Sequence, residues 1–207
     1  MIPYLLILLF VIAVSNVLFR PMSQINENHN PWKTLTTDVK YDNAWIQIQH
    51  SDVINPAGNP GIYGVVHFKN LAIGIIPLDE NNNTWIVGQF RYAINEYSWE
   101  IPEGGGKHGV DPIESAKREL LEECGIIANS WDRLIDMTLS NSATDERAII
   151  YVARDLTFTE SEPEDTEELG LKKIHFDELF QMVMDGKITD SMSVAAILKL
   201  KLRMLGH

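Results

Sequence analysis

The sequence predicts an α+β fold, a mixed β-sheet flanked by helices. β-like runs outnumber helical ones, the connections in the first half are of hairpin length, and amphipathic helical segments come later. Strand-like runs at 44–50, 62–68, 71–78 and 84–92 are separated by the turn signals Asn55-Pro56, Gly58-Asn59-Pro60-Gly61 and Asp79-Glu80-Asn81-Asn82-Asn83. A helix opening at Asp111 follows, then a β-run at 148–153, an acidic loop, a strand at 172–176, and helices at 177–184 and 191–205.

With 207 residues, 45% of them hydrophobic, the chain can bury one sizeable core. Its 17 Lys+Arg against 29 Asp+Glu give a net charge of -12, and no basic cluster offsets it, which argues against a nucleic-acid partner. A small phosphorylated substrate remains compatible if divalent metals bridge it to the protein. The single cysteine, Cys124, excludes an intrachain disulfide framework and a Cys-based zinc site, and reads as a small buried apolar side chain.

Residues 1–21 form an apolar leader, with Ile2, Leu5, Leu6, Ile7, Leu8, Leu9 and Phe10 among its members and Arg20 at its end. Its length can just span a bilayer. Three readings stand: a membrane anchor with the folded domain on the cytoplasmic side, a signal cleaved near Ala13-Val14-Ser15, or upstream sequence preceding a true start at Met22. A polar linker is expected over 22–31, closed by Pro31, and the folded domain over 32–207.

Chemistry concentrates between Ile101 and Ile126. Asp111 suits a helix N-cap, Pro112 the first helical position, Glu114 the third position of a capping box, and Gly125 a left-handed stop. Ile113, Ala116, Leu120 and Cys124 recur at helical spacing and predict the buried stripe. On another side Glu119, Glu122 and Glu123 converge within one turn. Three like charges at that spacing destabilise an isolated helix, whereas hard divalent cations turn the repulsion into a binding site. The plainer reading is a solvated face with an Arg118–Glu122 pair. Gly104, Gly105 and Gly106, just upstream, favour the functional one by predicting a permissive loop that approaches phosphate closely.

These residues resemble the Nudix hydrolase signature: Gly, five residues, Glu, seven residues, then Arg-Glu-hydrophobic-any-Glu-Glu-any-Gly-hydrophobic. Gly104 takes the first position and Arg118-Glu119-Leu120-Leu121-Glu122-Glu123-Cys124-Gly125-Ile126 the second half, at the right spacing. Val110 replaces the first Glu, which in the family supports the loop. Gln89-Phe90-Arg91-Tyr92, Trp99-Glu100-Ile101-Pro102-Glu103-Gly104 and Gly186-Lys187-Ile188-Thr189-Asp190 are similar to the ADP-ribose pyrophosphatase branch.

The resemblance implies a Nudix-type α/β/α sandwich with a mixed sheet, preceded by N-terminal antiparallel strands. It implies magnesium, or manganese, held by Glu119, Glu123, Glu122 and the backbone carbonyl of Glu103. It implies Arg91, Glu100, Gly104 and Gly105 at the substrate, with Arg91 on a phosphate, and Arg118 and Glu122 in the catalytic set. A carboxylate in the acidic loop, Glu167 or Asp165, would activate water. Arg91 could instead form a surface ion pair with Glu96 or Glu100. Tyr92 and Trp99 could stack on a base or simply pack, and His108 could touch phosphate or face solvent. The implied reaction hydrolyses the diphosphate of a nucleoside diphosphate-sugar, foremost ADP-ribose to AMP and ribose 5-phosphate. The implied assembly is a homodimer using strands between Lys40 and Phe68. The rivals are another nucleoside diphosphate-X as substrate, or a non-catalytic nucleotide-sugar sensor.

Overall fold

In the computed structural model, residues 26–160 and 169–206 are described. They run β1 (Lys33–Asp42), β2 (Ile46–Ile54), β3 (Pro60–Phe68), β4 (Asn70–Pro77), β5 (Asn83–Arg91), β6 (Glu96–Glu100), β7 (Glu103–Lys107), α1 (Pro112–Cys124), β8 (Ile126–Thr138), β9 (Arg147–Phe158), β10 (Gly170–His175), α2 (Phe176–Met184) and α3 (Ser191–Met204). Of these residues, 26–36 with 52–62 form one compact unit and 37–51 with 63–206 a second. Among the described residues no helix is long and apolar enough to cross a membrane, and the leader lies outside them.

β1, β2 and β3 form a sheet in that order. Within the first unit the Thr36 hydroxyl donates to Asp52 at 2.8 Å, and within the second the Thr37 and Ser51 hydroxyls meet at 2.9 Å.

The second unit is organised by a four-stranded sheet of order β7-β4-β9-β8, in which β4 and β9 are parallel and the other pairs antiparallel. β4 reads as a nearly unbroken apolar run because both its faces are covered. Ile73 and Ile75 pack with Ile149 and Tyr151 against Ala116, Leu120 and Cys124 of α1. Ile76 packs with Ile150 and Val152 against Phe176 and Leu179 of α2 and Ala196, Ile197 and Leu200 of α3. The result is the expected α/β/α sandwich, and each fully buried aliphatic side chain in it contributes roughly 1.5–3 kcal/mol. A smaller sheet, β10-β5-β6, lies beside it, with β5 paired antiparallel to both neighbours.

Asp79 fixes the β4–β5 turn. Its carboxylate accepts from the backbone of Asn81 at 2.9 Å and Asn83 at 2.7 Å, and pairs with Lys173 of β10 at 3.2 Å. Burial works to raise its pKa, but the Asn83 and Lys173 bonds outweigh it and hold the group at about 2, below its ordinary 3.8. A depressed carboxylate pKa stabilises the fold above the unfolded value and is lost as pH falls through the folded one. Urea unfolding of Asp79→Asn at pH 7 is expected to fall about 2 kcal/mol below wild type, with the gap closing toward pH 2. A gap unchanged at low pH would assign the effect to packing rather than charge.

Helix α1 begins and ends where its signals place it. The Asp111 side chain accepts from the Ile113 amide at 3.2 Å, Pro112 opens the helix, and Gly125 closes it at φ 61. Ala116, Leu120 and Cys124 are buried, with Ile113 half-buried against them. The reciprocal capping box is not made: Asp111 reaches the second helical amide instead of the third, and the Glu114 carboxylate turns outward to Lys117 at 2.7 Å. At a solvent-exposed first turn, a flexible carboxylate gains as much from a lysine three residues on.

Candidate active site

Glu103-Gly104-Gly105-Gly106-Lys107 is strand β7, at the edge of the sheet, with Gly104 opposite Ile73 and Gly106 opposite Leu71. A permissive loop was the expectation from sequence. None of these three glycines has positive φ; in this segment that role falls to Gly109, φ 85. Their need is for close approach. A Cβ on Gly104 would lie 2.2 Å from Cδ of Glu119, and one on Gly106 2.8 Å from Cγ1 of Ile73. The bare strand therefore lets α1 lay a carboxylate directly onto its backbone.

Glu119 and Glu123, one helical turn apart, are 8% and 3% exposed. The Glu123 Oε2 accepts from the Glu103 amide at 3.0 Å, tying helix to strand. Arg118 makes the second tie: it donates to the Gly105 carbonyl at 2.9 Å, to Glu119 at 2.5 Å and to Glu122 at 2.7 Å. Burial pulls the Arg118 pKa down, yet Glu119 and Glu122 more than offset it and keep the guanidinium charged. Glu122 lies at the rim, so the Arg118–Glu122 pair exists alongside the convergent carboxylates rather than instead of them.

From the smaller sheet, Arg91 of β5 donates from Nε to both oxygens of Glu100, each at 3.0 Å, and from Nη2 to Glu103 at 2.7 Å. The ion-pair reading thus holds for Glu100 and extends to Glu103; Glu96 is the cross-strand partner of Arg91 in the β5–β6 ladder but makes no ion pair with it among the described residues. Asp190, the N-cap of α3, accepts from the Ser193 amide at 2.7 Å and completes a cluster in which Glu100, Glu103 and Asp190 bring oxygens within 4.8 Å of one another. Burial, then Asp190 and Glu100, push the Glu103 carboxyl well above its usual range against the pull of Arg91. Its Oε2 is buried with no hydrogen-bond partner among the described residues. Burial works to lower the Arg91 pKa, but its bond to Glu100 holds it above the ordinary value.

A cavity of about 360 Å³ opens here, lined in part by Arg91, Glu103, Gly104, Gly105, Trp45 and Glu146. Sequence reasoning assigned no role to Glu146 or Asp190. Asp190 carried a readable signal, an acidic residue immediately before an apolar helix. Glu146 carried none; it is half-buried, and burial, then Asp145 and Asp190, raise its pKa.

Trp99 packs: it meets Tyr97 edge-on at 5.6 Å, and a Cβ on Gly88 would lie 2.8 Å from its ring. Tyr92 is 97% exposed on the β5–β6 turn. His108 is at the surface, 3.5 Å from the Phe68 carbonyl. Cys124 is a core residue whose thiol burial drives strongly upward. Asp165 and Glu167 lie outside the described residues.

Six carboxylates (Glu100, Glu103, Glu119, Glu122, Glu123, Asp190) thus gather around two guanidiniums (Arg91, Arg118). An all-oxygen, net-anionic donor set partly shielded from water is one that hard divalent cations fit. Such a donor set lies on an α/β/α sandwich, beside arginines suited to phosphate.

Comparison with known proteins agrees. The family model NUDIX domain matches residues 68–191, and that of the nucleoside diphosphate sugar hydrolase N-terminal domain matches residues 32–66. The chain belongs to the Nudix family of pyrophosphohydrolases. It is 30% identical over 173 residues to a methanol dehydrogenase activator of Bacillus methanolicus, covering 83% of this chain and 93% of that protein. It is 28% identical over 172 residues to an ADP-ribose pyrophosphatase of Mycobacterium tuberculosis, covering 81% and 82%. A solved structure described as an ADP compounds hydrolase shares the fold, with TM-score 0.77 and 19% identity over 87% of this chain and 98% of that one.

Proposed function

We propose that this protein hydrolyses the diphosphate of a nucleoside diphosphate-sugar, ADP-ribose foremost, giving AMP and ribose 5-phosphate. The observation that carries the reading is the Glu119 carboxylate laid on Gly104 with Glu123 locked to the adjoining Glu103 amide. The pyrophosphatase relative from Mycobacterium tuberculosis supports the substrate.

Glu119, Glu123, Glu122 and the Glu103 carbonyl would hold magnesium, with manganese as the alternative. Bound there, the metal supplies charge neutralisation and Lewis acidity for phosphoryl transfer. Arg118 keeps the helix face registered on β7. Arg91, aimed by Glu100, offers its guanidinium edge to a substrate phosphate at the cavity wall. Glu167 or Asp165 would take the proton of the attacking water. A homodimer is supported by β1, an edge strand exposed along its whole length with Leu35, Val39 and Tyr41 among its residues; light scattering of the purified chain measures it.

A phosphatase-coupled phosphate-release assay across nucleotide sugars, with and without magnesium, tests the activity. Preferential, magnesium-dependent release from ADP-ribose is expected, and no release from any nucleotide sugar would overturn the reading.

Val110 favours a second reading, a nucleotide-sugar sensor. The residue is exposed, its amide donates to the Lys107 carbonyl at 3.2 Å, and its side chain supplies none of the bracing that the signature carboxylate would add. Val110→Glu is accordingly expected to raise turnover by about tenfold with unchanged substrate preference, the worth of roughly one charged hydrogen bond. Activity that appears only in Val110→Glu would make the natural protein a sensor.

A further inference from the structure

A second cavity opens beyond the site above. It measures about 610 Å³, within the range of small-molecule sites, and is lined by residues of β4, β8 and β9. A β-bulge between Arg133 and Ile135 shifts the β8 register, so that Arg133 stands opposite Tyr151, Asp136 opposite Ile149 and Thr138 opposite Arg147. Alternation along β9 places Arg147, Ile149 and Tyr151 on one face, the face that packs toward α1. Without the bulge, residues 133 and 136 would point to opposite faces; with it, Arg133, Asp136, Thr138 and Arg147 gather on one.

The lining is basic on a chain of net charge -12. Asp136 accepts from Nε and Nη2 of Arg133 at 2.7 and 2.8 Å, which neutralises one arginine; among the described residues its Nη1 edge has no hydrogen bond. Arg147 has no hydrogen bond or ion pair to its guanidinium among the described residues. Leu71 and Ile149, packed into the core beneath, give an apolar floor. A free guanidinium fork, a half-open second one and a hydroxyl from Thr138 over an aliphatic base form a recognition set for a terminal phosphate carried on an apolar group.

We propose that this cavity is a second, non-catalytic binding site for phosphate monoesters, with Arg147 as the main anion ligand and Arg133 and Thr138 beside it. Leu71 also lines the cavity of the candidate active site, so the two adjoin at the start of β4.

Titration calorimetry with phenyl phosphate in EDTA, which withholds metal from the catalytic carboxylates, tests the proposal. Wild type is expected to bind phenyl phosphate saturably and phenol not at all. Arg147→Gln should weaken binding at least tenfold, about 1.4 kcal/mol, and Arg91→Gln should leave it within twofold. Circular dichroism of both variants checks that they fold as wild type does. Absence of binding to wild type, or binding lost in Arg91→Gln and kept in Arg147→Gln, would overturn it, the latter by assigning the anion to the catalytic cavity.

Discussion

Glu123→Gln is expected to lower turnover on ADP-ribose at least about a hundredfold while the protein stays folded. The amide keeps an oxygen that can accept from the Glu103 backbone, so the helix-to-strand tie at 3.0 Å survives the substitution. What disappears is a negative charge at a position only 3% exposed. A hundredfold loss corresponds to about 2.7 kcal/mol of transition-state stabilisation, which removal of one charged ligand from a cation site readily exceeds. Steady-state kinetics over a magnesium titration, with a thermal melt as control, decides it. Near-normal turnover at limiting magnesium would remove Glu123 from the metal set.

Gly104→Ala is expected to be as damaging by a different route. Gly104 lies in a strand with ordinary extended backbone, so alanine meets no conformational penalty there, and the melting temperature should hold within a few degrees. The added methyl would nevertheless fall 2.2 to 2.4 Å from the carboxylate atoms of Glu119, closer than any real contact. Glu119 must then swing away, and turnover should fall at least about a hundredfold. A variant that melts normally and hydrolyses normally would show that the Glu119 contact is incidental to activity.

Much of the fold was legible because its signals are local. Asp111, Pro112 and Gly125 bound the first helix, and the turn residues between apolar runs located β2 to β5. Strands escaped where pairing rather than composition makes them. β7 is largely glycine, a poor strand former, and exists because β4 offers a ladder to it. β8 carries a bulge that breaks its two-residue alternation at Arg133, so periodicity fades where the strand is longest. β1 is exposed on both faces and has no core-facing pattern to read. For the site, the spacing of Arg118, Glu119, Glu122 and Glu123 announced the helix face. The placement of Glu146 and Asp190 depends on strands and helices far apart in sequence, which spacing cannot encode.

Glu100 ends β6 in one sheet and Glu103 begins β7 in the other, and only Ile101 and Pro102 lie between them. The crossing is pinned at both residues: the Ile101 amide donates to Ser193 Oγ at 3.0 Å, and the Pro102 carbonyl accepts from the Ile75 amide at 2.9 Å. Because side chains alternate along extended chain, the number of residues in this crossing sets the parity of everything after it. Two residues turn Glu103 toward the arginine and Gly104 toward the helix; one or three would exchange them. The arginine arm and the carboxylate helix are thus kept in phase by a length of chain, a quantity that no single side chain carries.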